Sequence, residues 1–146
     1  MNNHNIGLCL WNEFLRNVIN LYFEGTNTGT IITFKDEAIY TKEVIEKLKS
    51  IDIFITEAFN PFKIQDPEGF RTSIKLMELG FTLKPLIIFR TIDNNFLKTP
   101  FILDYSTIHM LPQKIKELMT IRKIDISQFN PIIEAYPDLN KKPVHE

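Results

Sequence analysis

Several apolar runs in this chain end on a side chain that could do chemistry. Ile51-Asp52-Ile53-Phe54-Ile55-Thr56 ends on Glu57, and Pro61 follows four residues later. Leu8-Cys9-Leu10 runs into Trp11, Asn12 and Glu13. Pro85-Leu86-Ile87-Ile88-Phe89 runs into Arg90 and Thr91, and Phe101-Ile102-Leu103 into Asp104 and Tyr105. A carboxylate such as Glu57 is an oxygen ligand, and hard cations need several of these. One carboxylate is a poor site by itself. Trp11 supplies no side-chain oxygen, and Asn12 supplies only a neutral one. His4, His109 and His145 are far apart, so no histidine metal site or catalytic base is expected. Gly25-Thr26-Asn27-Thr28-Gly29 lacks the Lys-Ser/Thr of a phosphate-binding loop and reads as a turn.

The elements that must position these residues follow from the hydrophobic pattern. Ile6–Leu10, Thr30–Phe34, Ile51–Ile55, Pro85–Phe89 and Phe101–Leu103 read as strands. Nearly continuous apolar runs suit a parallel sheet covered on both faces. Glu13–Phe23 carries Phe14, Leu15, Val18, Ile19 and Tyr22 at helical spacing, with Gly25 as a stop. A second helix starts at Asp36 or Tyr40-Thr41 and puts Thr41, Ile45 and Leu48 on one face. Glu68–Leu79 repeats the helical pattern with Phe70, Ile74 and Met77, and ends at Gly80. Leu111, Ile115, Leu118 and Met119 give another stripe, with Pro112 in its first turn. Only Thr91–Pro100 separate the last two strands, so the helix there is expected to be shortened or missing.

The alternation predicts a doubly wound α/β domain with five parallel strands in the order 2-1-3-4-5. Residues 1–121 form the domain. Residues 122–146 form a C-terminal extension, helical around Pro131–Tyr136 with Asn130 as its cap, then frayed. Such a sheet gathers ligands beyond the carboxyl ends of its strands. Those ends carry Trp11, Asn12, Glu57, Arg90, Thr91 and Asp104.

Composition narrows the function classes. A chain of 146 residues, 44% hydrophobic with twelve Phe, can bury a real core. A net charge of −1 and scattered basic residues argue against a nucleic-acid surface. No apolar run approaches the roughly 20 residues needed to cross a bilayer, and no signal-peptide pattern opens the sequence. A cytoplasmic protein with no membrane partner is expected. Cys9, the one cysteine, excludes an intramolecular disulfide and reads as a buried thiol.

The strand-end residues carry a resemblance. Over Asn5–Met119 the layout resembles the receiver domain of two-component response regulators. Trp11-Asn12 falls where that family has an acidic pair, Glu57 at its phosphoacceptor, and Pro61 at a familiar position after it. Glu68-Gly69 resembles the Asp-Gly that opens the third helix. Lys75–Thr91 resembles the helix, loop, strand and switch threonine. Asp104-Tyr105 replaces the family's Lys-Pro. The resemblance implies a flavodoxin-like or receiver-like fold. It also implies that the phosphorylation chemistry is gone, because phosphoryl transfer rests on positioning and charge and the metal ligands and cation are replaced.

The expected function is therefore a pseudo-receiver. It is a signal-transduction adaptor, not an enzyme, with no cofactor and no metal. It works by phosphorylation-independent contact with an unknown protein partner or as a homodimer. Glu57 is read as a phosphomimetic carboxylate or as an ordinary surface acid whose replacement by alanine leaves the fold intact. Arg90 is read as a substitute cation. Phe59, Phe62 and Phe70 are read as a partner site or as cover for the sheet end. Two alternatives stand beside this. Glu78-Leu79-Gly80 followed by Lys84-Pro85-Leu86-Ile87-Ile88 also resembles nucleoside deoxyribosyltransferases and related nucleotide-hydrolysing domains, although their Asp-x-Gly-Thr stretch is absent here. The chain could also be a structural subunit of a larger complex.

Overall fold

The structure, a computed structural model, describes residues 5–24, 31–33, 42–59, 67–90, 96 and 98–137. Its elements are β1 (Ile6–Cys9), α1 (Glu13–Phe23), β2 (Ile31–Thr33), α2 (Lys42–Leu48), β3 (Ile53–Glu57), α3 (Glu68–Glu78), β4 (Lys84–Phe89) and β5 (Ile102–Asp104). A 3-10 helix (Tyr105–Met110) leads into α4 (Leu111–Thr120). A second 3-10 helix (Ile126–Phe129) leads into α5 (Asn130–Ala135).

All pairings are parallel, and the strands lie in the order β2-β1-β3-β4-β5. In register, Leu8 pairs with Ile55, Ile55 with Leu86, and Ile88 with Leu103. Every residue of β1, β3 and β5 is buried. That explains why these strands read as unbroken apolar runs. Side chains alternate across the sheet. Ile53, Ile55 and Glu57 therefore share one face, and Phe54 and Thr56 the other.

Ile53 and Ile55 join Leu15 and Ile19 of α1 in the larger apolar cluster. Phe54 packs with Cys9, Leu48 of α2, and Leu76 of α3 in a smaller one. The α3 helix is buried on two sides, with Gly69, Thr72, Ser73 and Leu76 on one flank and Phe70 and Ile74 on another. Gly80, at φ +86, ends it in the left-handed conformation that glycine adopts without strain.

The strand limits differ from the sequence reading in one way that matters. β3 starts at Ile53 and takes in Glu57, which puts Glu57 inside the sheet rather than beyond it. At the far end of the chain, α5 begins at Asn130, with Phe129 before it and no side-chain cap bond. Pro131 sits in its first turn as expected, but Asn130 is inside the helix. Ile124, Phe129 and Ile132 are buried in the same cluster as β4 and β5. The proposed starts of the second helix, the 25–29 turn, most of the link between β4 and β5, Phe62, Thr91 and the last residues of the extension lie outside the described residues. No helix among the described residues is long and apolar enough to cross a membrane.

Candidate functional site: a carboxylate bound by two loops

Glu57 closes β3 at the centre of the sheet and is 2% exposed. Its Oε1 accepts the backbone N–H of Trp11 at 2.8 Å and that of Asn12 at 2.7 Å. Its Oε2 accepts the Tyr105 hydroxyl at 2.6 Å. One carboxylate thus joins the β1–α1 loop to the residue that follows β5. These bonds satisfy amides that would otherwise be orphaned where the chain turns from strand into helix.

The surroundings fix those donors. Asn12 is the N-cap of α1, and its side chain accepts the Leu15 N–H at 3.1 Å. Its carbonyl accepts from Arg16 at 3.0 Å. Below the loop, the Thr56 hydroxyl donates to the Cys9 carbonyl at 2.9 Å, tying β3 to β1. On the other side, the Asp104 carboxylate accepts from the Ser106 N–H at 2.9 Å and hydroxyl at 3.0 Å, capping the 3-10 helix that Tyr105 starts. Both loops are therefore held by their own side-chain caps before they reach Glu57.

Burial and the adjacent carboxylate raise the Tyr105 phenol well above its ordinary range. The phenol stays protonated and remains a donor. The sign has a consequence for stability. The folded state holds this proton more tightly than the unfolded chain, so the contribution is complete below a pH of about 10. It is lost as pH rises further, because the unfolded chain releases its proton first. We expect Tyr105 to give no phenolate absorbance in an alkaline titration until circular dichroism reports unfolding. Ionisation of all four tyrosines in the folded protein near that pH would contradict this geometry.

The carboxylate accepts three hydrogen bonds, two at Oε1 and one at Oε2. Two N–H groups and an O–H point at it, an environment made for an anion. Mg²⁺ needs oxygen acceptors, and the Trp11 and Asn12 amides present none. The Asn12 side-chain oxygen is committed to its cap. The donor set does not fit the ion. No group of three or more metal-ligating side chains occurs among the described residues. Comparison with known proteins finds no matching family model, no matching curated protein and no matching solved structure. The chemistry of this site therefore rests on its own geometry.

Of the residues picked out from sequence, Trp11, Asn12 and Glu57 come together. Trp11 contributes its amide, while its half-buried ring packs against the smaller apolar cluster. Asp104 stands next to the site but serves as a cap. Arg90 is exposed, and the bonds to Glu57 come from Trp11, Asn12 and Tyr105, so its reading as the substitute cation is corrected. Glu57 is likewise not a surface acid. Tyr105 belongs to the site, although the sequence reading named it only as a strand-end residue and left it out of the expected pocket. It was visible directly after the last strand, where a phenol has the reach to meet a neighbouring strand end.

Proposed function

We propose that this chain is a receiver-like signalling adaptor whose switch site is held in one state by an internal anion. The fold is read as flavodoxin-like, of the receiver type. The observation that carries the reading is the threefold bonding of Glu57. In the receiver family that this chain resembles, the phosphoacceptor ends the third strand, where Glu57 stands here. Here a side chain supplies the carboxylate, and loop amides and a phenol bind it. Such a site has nothing to switch, so output comes from protein–protein contact independent of phosphorylation. The proposed setting is the cytoplasm, with a protein partner or a second copy of the chain.

The test uses Trp11, whose amide bonds Glu57 and which is the one tryptophan of the chain. Its fluorescence is followed while Mg²⁺ and then beryllofluoride are added. A flat trace from folded protein is expected. A saturable response at low-millimolar Mg²⁺ would mean that the pocket binds the ion, and the reading of a fixed internal anion would fall.

A further inference from the structure

The C-terminal segment is attached differently from the rest of the molecule. It begins at a fixed point. Lys84, the first residue of β4, donates from Nζ to the Leu118 carbonyl at 2.7 Å and to the Ile121 carbonyl. These are the last carbonyls of α4, and a cation here also suits the helix dipole. Beyond this clamp the chain passes beside Met77, Gly80 and Leu83 and runs along α3. Phe129 stacks on Phe101 with ring centroids 4.4 Å apart. Tyr136 lies 5.4 Å from Phe59 and 6.0 Å from Phe70.

Among the described residues, the hydrogen bonds of 122–137 stay within the segment. Asp125 and Gln128 form a reciprocal capping box, and Tyr136 bonds back to Ile132. Its hold on the domain rests on apolar contact through Ile124, Phe129, Ile132 and Tyr136. Neither of its helices, four and six residues long, would persist alone, since isolated helices below about 12 residues are marginal in water. The segment also fills a need. A parallel sheet requires cover on both faces, and only residues 90–101 link β4 to β5. Phe96 in that link and Ile124, Phe129 and Ile132 of the segment are all buried in the cluster that covers β4 and β5.

We propose that residues 122–137 are a strap that undocks as one unit about the Lys84 clamp, exposing an aromatic surface that includes Phe70 and Phe101. Among the described residues undocking breaks no hydrogen bond to the sheet, so it takes less free energy than unfolding of the strands. The strap is an internal cover over that aromatic surface. It is also tied to the candidate site, because Tyr136 rests on Phe59, two residues beyond Glu57.

Hydrogen exchange of the full-length chain tests this. Amides of 126–136 are expected to exchange at least about tenfold faster than those of β3 and β4, as a local opening would require. Phe129→Ala should accelerate the strap amides by a further tenfold or more and leave β1 and β3 unchanged. Should that variant fail to fold, Tyr136→Ala, at the half-buried end of the segment, should show the same selective acceleration. Exchange of the strap at the rate of β3 and β4, or acceleration of all elements together, would show one cooperative unit and overturn the proposal. Neither readout involves Mg²⁺ or beryllofluoride, so it stands or falls apart from the adaptor reading.

Discussion

Glu57→Ala is expected to destabilise the protein by about 3 kcal/mol or more. The change removes an acceptor of three hydrogen bonds at a 2% exposed position. A hydrogen bond to a charged group contributes about 1.5–3 kcal/mol, and each buried donor left unsatisfied costs about 1–3 kcal/mol. Two of the donors are backbone amides that cannot turn away. The Trp11 and Asn12 N–H groups are fixed by the Asn12 cap and by the β1–α1 path. The Tyr105 hydroxyl can rotate towards water only if the 3-10 helix it starts also shifts. Part of the loss would be recovered if water entered the space, which sets the lower end of the range. Urea denaturation of both proteins is the measurement. A loss below about 1 kcal/mol would mean that the carboxylate is not buried as described.

Glu57→Gln separates charge from shape. The glutamine oxygen can still accept from both amides, and its NH₂ can donate to the Tyr105 oxygen once the hydroxyl rotates. The variant should therefore fold with a smaller loss than alanine. It should also bring Tyr105 ionisation closer to the ordinary range, since the adjacent charge is one cause of its upward shift. An unchanged Tyr105 titration would assign the whole shift to burial.

The parallel α/β class was legible because burial on both faces leaves continuous apolar runs, and Ile53-Phe54-Ile55 is such a run. Helices α1 and α3 were legible from spacing and from Gly80. The site was legible in part. Glu57 drew notice through its position after an apolar run, but that same position suggested exposure. What buries it is a pair of loops brought from 45 residues upstream and 48 downstream, and no local pattern encodes that closure. Arg90 drew notice as a cation because charge is visible in a sequence, whereas the reach of the Tyr105 phenol is not. The C-terminal segment was obscure for a related reason. Ile121, Ile124 and Ile126 fit neither period because Ile121 ends α4, Ile124 lies between helices and Ile126 opens a 3-10 helix. The Asp125…Gln128 capping box was the readable signal there.

Gly69→Ala should be still more damaging, with most of the protein failing to fold. A Cβ at this position would lie 1.7 Å from the Glu57 carbonyl oxygen, 2.6 Å from its carbon and 3.0 Å from the Ala58 Cα. These are backbone atoms, so no side-chain rotation relieves the clash. Neither side can give way cheaply. The Gly69 N–H donates to the Ala58 carbonyl at 2.9 Å, and the Ala58 N–H donates to Ile88 at 3.0 Å, which fixes the end of β3 against β4. Glu57 itself is also held by its three side-chain bonds. To admit a methyl group, α3 must lift from the sheet at its first turn. That would strip cover from Phe70, which packs 5.1 Å from Phe89 and is fully buried. Overpacking a core typically costs about 1–3 kcal/mol, and more where backbone must move, so a loss above about 3 kcal/mol is expected. Soluble yield and urea midpoint are the readouts, with Gly80→Ala as a contrast, since a Cβ there meets nothing within 4 Å and only the positive φ is strained. If Gly69→Ala proved milder than Gly80→Ala, α3 would not approach β3 this closely, and the route by which the sheet end carries Glu57 would have to be redrawn.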